Sequence, residues 1–152
     1  MALFAANKAT EDYGGLTQHV IALAGQADGF VFGSPIYRAT YTGALKNFFD
    51  LMPVEAMLGK VAGLVATGGS LHHFLALDFT FRPIMTFFNM HTIPGVIYGS
   101  REDFLPDRQL SDALKAQAEV LGRDLVYMTE KLAGHGWGPP SPGVGSVAVK
   151  PA

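Results

Sequence analysis

Apolar positions in this chain follow two alternating patterns. Leu16, Val20, Leu23 and Ala24 recur at helical spacing after Gly14-Gly15, which predicts a short amphipathic helix ending near Gly25. Gly29-Phe30-Val31-Phe32-Gly33 is instead a continuous apolar run bounded by Asp28 and Ser34-Pro35. Such a run predicts a strand buried on both faces, as in a parallel sheet. Thr42 can cap a second helix carrying Ala44, Leu45, Phe48, Phe49 and Met52, and Pro53 ends it, because the residue before a proline is pushed out of the helical region. Val61 to Ala66 forms a second apolar run, followed by Thr67-Gly68-Gly69-Ser70. Phe74, Leu77, Phe81, Ile84 and Phe88 then repeat at helical spacing and predict a helix over 71–88. Pro83 lies inside it and has no N–H for the Phe79 carbonyl, so a kink or bulge is expected there. Ile93 to Tyr98 predicts a third strand, with Pro94 early in it. Leu110, Leu114, Ala118, Leu121, Leu125, Met128 and Leu132 mark a last amphipathic helix.

Helices and strands thus alternate, which predicts an α/β fold: an open parallel sheet flanked by helices. Residues 1–133 form one domain on this reading. Ligands of such sheets sit in the loops after the carboxyl ends of the strands, here 34–41, 67–73 and 99–108. From Gly134 the chain turns rich in glycine and proline, which predicts an irregular tail over 134–152. The alternative for this tail is an arm laid across a neighbouring subunit, anchored by Trp137.

Composition narrows the picture. The 152 residues suit a single domain. Charged residues are only 16%, against an ordinary value of about a quarter, so much of the surface is apolar or covered by a partner. Further apolar residues (Leu75, Phe79, Met85, Phe87) surround the 71–88 helix on its other faces, which predicts a homo-oligomer, dimer or tetramer, through that helix. A net charge of −2 argues against nucleic acid as a partner. The absence of cysteine excludes disulfide scaffolds, thiolate zinc sites, iron–sulfur clusters and cysteine nucleophiles. No apolar run is long enough to span a membrane, and Met1 to Lys8 lacks the pattern of a secretory signal, so the expected location is cytoplasmic.

Two loops carry the candidate chemistry. The first, Ser34-Pro35-Ile36-Tyr37-Arg38-Ala39-Thr40-Tyr41, joins a buried strand to a helix N-terminus, where main-chain N–H groups are free to donate. Its two tyrosines and lack of carboxylates suit a flat, electron-poor or anionic ring better than a metal. The second, Thr67-Gly68-Gly69-Ser70, has glycines that let the backbone approach a ligand closely. The adjacent His72 and His73 point in different directions and have no third ligand, so no metal site is expected. Asp78 and Arg82 are four apart on one helix and should form an ordinary ion pair.

The stretch from Ala27 through Pro35-Ile36-Tyr37-Arg38 to Gly43-Ala44-Leu45-Lys46, with Gly59-Lys60 and Ala66-Thr67-Gly68-Gly69-Ser70, resembles the flavodoxin-like NAD(P)H-dependent FMN reductases. The branch that supplies reduced flavin to sulfonate monooxygenases is the most similar. The resemblance covers Leu16 to Asp103. It implies that Pro35, Ile36 and Tyr37 line the flavin, with Arg38 and Thr40 beside it, and that Thr67, Gly68, Gly69 and Ser70 border the ring from the other side. It implies FMN and either NADPH or NADH as cofactors and a flavin-dependent monooxygenase as a partner. The cofactors supply the reactivity, so no catalytic side chain is assigned. Arg38 could alternatively meet a phosphate of the nicotinamide nucleotide.

One departure from the family stands out. The family begins with an extra strand and a Gly/Ser/Arg-rich loop that cradles the FMN phosphate, and no such loop precedes Leu16. The expectation is a chain incomplete at its N-terminus, with the 29–33 strand bare along one edge and flavin bound weakly or not at all. Three competing readings remain: a fragment that acts only as an oligomerising module, a quinone or azo reductase of the same fold, and a flavodoxin-type electron carrier.

Overall fold

The computed structural model of the protein describes residues 1–5, 8–106 and 109–133. The tail of 134–152, Trp137 included, lies outside the described residues. The elements run α1 (Leu16–Gln26), β1 (Gly29–Pro35), α2 (Gly43–Leu51), β2 (Val61–Thr67), a helical segment that ends in α3 (Arg82–Phe87), β3 (His91–Thr92), β4 (Ile97–Gly99) and α4 (Asp112–Leu132). Every pairing among these strands is parallel, and β2 is central: β1 lies on one side of it, and β3 then β4 lie on the other. The α/β sheet expected from the alternation is therefore present.

The central strand explains the two-sided core. Ala62, Leu64 and Ala66 belong to one cluster with Phe32, Phe49, Leu77, Phe81 and Met85. Val61 and Val65 belong to a second cluster with Ile93, Ile97, Leu114 and Leu121. Gly63 lets α4 settle close to the sheet, since a methyl there would meet Leu121 at 3.2 Å. The ammonium of Lys60 caps α1 by donating to the carbonyls of Ala24 and Gly25 at 3.2 and 2.9 Å.

Four expectations are corrected. First, β1 is not buried on both faces: Val31 is 56% exposed, whereas Phe32 and Ser34 on the opposite face are buried. The reason is that α4 reaches β1 at Gly29, through Thr129 and Leu125, and leaves Val31 uncovered. Second, α1 buries only half of the expected Leu16, Val20, Leu23 and Ala24 stripe. Both leucines are exposed, and Thr17 and Ala24 are buried, with Val20 and Ile21 packed on the core. Polar Thr17 is tolerated there because its hydroxyl accepts the Ala2 N–H at 2.8 Å.

Third, 71–88 is not one regular helix. Leu71–His73 is a 3-10 turn, Leu77–Phe81 is a π-helical turn in which the Arg82 N–H reaches back to the Leu77 carbonyl, and only Arg82–Phe87 is α-helical. The widened turn stands directly before Pro83, where the missing N–H called for a bulge. Fourth, the last strand is split at Pro94-Gly95 into β3 and β4. Ile93 still donates to the Ala62 carbonyl at 3.0 Å, and the ladder stops at the proline. Arg82 covers the break: its guanidinium donates to the Pro94 carbonyl at 2.6 Å and to the Thr92 hydroxyl at 2.9 Å while holding Asp78 at 2.6 Å. The expected Asp78–Arg82 pair is thus also a clasp between the helical segment and the sheet edge.

Candidate functional site

The two candidate loops leave adjacent strands at the same edge of the sheet. Pro35, the last residue of β1, stands in register with Thr67, the last of β2. The next residue joins the turns directly: the Ile36 N–H donates to the Thr67 carbonyl at 2.8 Å. A single rim therefore carries all nine residues expected at the site.

Local chemistry shapes the first turn. Ser34 is buried and closes the loop at its base, accepting the Thr42 N–H at 3.0 Å and donating to the Pro35 carbonyl at 2.9 Å. Thr42 in turn caps α2, its hydroxyl accepting the Leu45 N–H at 3.3 Å. Between them, Tyr37 and Thr40 pair main chain to main chain, at 2.9 Å from the Tyr37 N–H and 3.3 Å from the Thr40 N–H. The residues at the tip, Arg38 and Ala39, both take positive φ, 54° and 67°. Glycine or asparagine ordinarily fills such positions, and a left-handed non-glycine residue costs roughly 1–2 kcal/mol. The turn holds Tyr37 64% exposed, with Arg38 exposed beside it.

Not every expected residue faces the rim. Ile36 is buried in the core, so its side chain is withdrawn and its main chain is what remains at the turn. Tyr41 also turns inward, its ring edge-on to Phe49 at 5.9 Å and to Phe81 at 5.2 Å, and burial pushes its phenol above the ordinary range. Of the two tyrosines, Tyr37 is exposed and Tyr41 is partly buried.

The second turn is open at Gly69, where an added methyl would meet nothing within 4 Å. Gly68 is different. Its N–H donates to the Gly99 carbonyl at 3.0 Å, and a methyl on it would fall on the Tyr98 hydroxyl. That hydroxyl donates to the Ser70 carbonyl at 2.7 Å. Burial raises the Tyr98 phenol, so it stays protonated and donating well into the alkaline range. The Ser70 hydroxyl lies 3.1 Å from Nδ1 of His72. Among the described residues no group of three His, Asp or Glu side chains is placed to hold a metal, and no helix is long and apolar enough to cross a membrane.

Sequence reasoning missed Ser34 and Tyr98. Ser34 had a signal, a small hydroxyl residue at the end of an apolar strand. Tyr98 had none, since its contact with the turn spans 28 positions of chain.

Residues 3–104 match the family described as NADPH-dependent FMN reductase. The chain belongs to this family. It is 38% identical over 113 residues to an NAD(P)H-dependent FAD/FMN reductase of Geobacillus thermodenitrificans, an overlap covering 74% of this chain and 61% of that protein. It is 47% identical over 79 residues to the NADH-dependent FMN reductase SfnF of Pseudomonas putida, covering 52% of this chain and 42% of that one. Among solved structures, the apo form of the NADH:FMN oxidoreductase EmoB superposes with a TM-score of 0.63 at 30% identity, covering 78% of this chain and 60% of the other. An archaeal flavodoxin shares the fold, with a TM-score of 0.57 at 14% identity. The chain thus spans between two fifths and two thirds of the length of these FMN-reductase relatives.

The rim fits the ring end of a flavin in one testable respect. An exposed aromatic ring at Tyr37 and an unobstructed glycine at Gly69 stand on turns joined by a hydrogen bond. A planar ligand needs this combination of an open face and nearby main chain.

Proposed function

We propose that this chain carries the flavin-ring site of an NAD(P)H-dependent FMN reductase. The observation that carries the reading is the 2.8 Å bond from the Ile36 N–H to the Thr67 carbonyl, which makes one rim of the two turns. FMN, when bound, supplies the capacity to accept a hydride from NADPH or NADH. The chain's own part is alignment. Pro35 and the strained Tyr37–Thr40 turn offer a wall with Tyr37 outermost, Arg38 adds a positive charge to it, and Gly69 and Ser70 offer main-chain donors where negative charge would grow on the ring, with Thr67 and Gly68 bordering it. No side chain needs to exchange a proton for this step, so none is assigned as catalytic. The name of the Pseudomonas putida relative SfnF supports reduced flavin as the product, and a flavin-dependent monooxygenase is the proposed consumer.

A second proposal concerns assembly. Leu71, Phe74, Leu75, Phe79 and Phe87 are all exposed on the one segment 71–87. Apolar side chains gathered in this way mark an interface, and we assign it to a homo-oligomer of this chain.

The test of the flavin reading is a titration of the chain with FMN, followed by visible absorbance, together with the oxidation of NADH and NADPH. A saturable spectral shift with flavin-dependent nicotinamide oxidation is expected. Saturating FMN that produces neither overturns the reading.

A further inference from the structure

The Thr67-Gly68-Gly69-Ser70 turn has glycine at its centre, yet it is held at several points. Its first N–H, at Gly68, is consumed by the Gly99 carbonyl at 3.0 Å. Beneath it, Tyr98 is anchored in β4, in register with Ala66 of β2. The Tyr98 ring is buried and stands edge-on to Phe74 at 6.2 Å. From there the hydroxyl passes through the space that a side chain at Gly68 would fill and donates to the Ser70 carbonyl at 2.7 Å. A peptide unit is planar and trans, with its C=O and N–H on opposite sides. Holding the Ser70 carbonyl inward therefore turns the following N–H, that of Leu71, away from the core. Gly69 is left at the open tip between two fixed neighbours.

We propose that Tyr98 is a positioning residue for the flavin ring: by gripping the Ser70 carbonyl through the gap at Gly68, it sets the main-chain donors of 69–71 toward the rim. The inference rests on the flavin reading above and extends it to a residue outside both loops. Gly68 and Tyr98 act as one device, since glycine provides the opening and the phenol fills it. Tyr98 does not touch the ring. Its effect passes through the turn, so it should alter how well the flavin is held and leave the rate of the bound complex largely as it was.

The experiment compares the wild-type chain with Tyr98→Phe, which keeps the aromatic packing against Phe74 and deletes the hydroxyl. Amide hydrogen exchange is measured residue by residue without ligand, and FMN affinity is measured by visible absorbance. Loss of one neutral hydrogen bond should speed exchange at Gly68, whose N–H is held by the Gly99 carbonyl, by about 3- to 10-fold and weaken FMN by a similar factor, with KM for FMN rising and kcat nearly constant. Exchange in β1 and β2 should be unchanged. Gly68→Ala should reproduce the local effect, and its penalty should shrink in the Tyr98→Phe background, where the hydroxyl it strikes is gone. Unchanged exchange at Gly68 overturns the proposal, and so does a rise spread over the whole sheet with a general loss of stability. Local exchange that rises while FMN affinity stays constant also overturns it. If the wild-type chain takes up no FMN, the flavin reading itself fails, and the exchange data show separately whether Tyr98 holds the turn.

Discussion

Asp103 shows how one side chain can organise a rim loop. Its carboxylate accepts the Ser100 N–H at 2.8 Å, the Ser100 hydroxyl at 2.9 Å and the Ser111 hydroxyl at 3.0 Å. Its own carbonyl accepts the Ser111 N–H at 2.8 Å, and Ser111 caps α4 through the Leu114 N–H at 3.2 Å. The backbone bond from Ser100, with the two hydroxyl bonds behind it, holds the Asp103 carboxyl below its ordinary value of 3.8. A carboxylate depressed in the folded state binds its proton more readily in the unfolded chain. Its contribution is therefore whole above the unfolded value and is lost as pH falls through the folded one. Urea midpoints measured at neutral pH and at about pH 3 should show this. Asp103→Asn should be the less stable protein at neutral pH and should lose less on acidification than the wild type. Equal acid slopes for the two proteins would remove Asp103 from the account. Such a centre is hard to read from sequence, because Ser100, Asp103 and Ser111 look like ordinary loop residues until the chain folds back and makes them partners.

At the scale of elements, the features legible in advance were those decided locally. Thr42 before an apolar-periodic stretch is a cap signal, and the structure places its hydroxyl on the Leu45 N–H. Thr42→Ala should cost about 1 kcal/mol in a denaturation experiment. The bond from the Thr42 N–H to Ser34 is main chain and survives the change, so the loss is that of the cap and of the 3.3 Å contact between the two hydroxyls. No change in midpoint would contradict the role. Pro83 likewise announced a bulge, and β2 announced its two-sided burial by an unbroken apolar run. What periodicity left undecided was which face of α1 turns inward: two overlapping stripes fit the spacing, and the one with polar Thr17 is buried because Ala2 supplies its partner. The burial of β1 failed for a related reason. Apolar content shows that a strand can be covered, whereas coverage depends on where α4 crosses the sheet. In the site, the two turns were legible because glycine and proline declare themselves. Tyr98 was not, since it works through a hydrogen bond across the fold, whereas Ser34 acts locally, on Pro35 and Thr42.

For the whole molecule, the distribution of exposed apolar surface is the main consequence of a low charge content. The outer edge of β1 pairs with no strand among the described residues, and Val31 beside it is exposed. The larger accumulation lies on 71–87, where Leu71 is 69% and Phe79 73% exposed. Phe79 sits in the π-helical turn, whose Leu77 and Phe81 are fully buried. The turn is therefore anchored from within while Phe79 projects outward, an arrangement suited to a rigid contact. A net charge of −2 offers little repulsion between copies, and a specific interface requires roughly 1,000 Å² or more of buried surface. Phe79→Asp places a carboxylate on the most exposed apolar member of that segment without replacing the anchoring side chains. Burying an unpaired charge is strongly unfavourable, so the variant should scatter light as a single chain at concentrations where the wild type is a dimer or tetramer. Its far-ultraviolet circular dichroism should match the wild type, because Phe79 contributes little to the core of one copy. A wild type that is already monomeric at those concentrations, or an oligomer that Phe79→Asp leaves intact, would mean that this face serves some other contact.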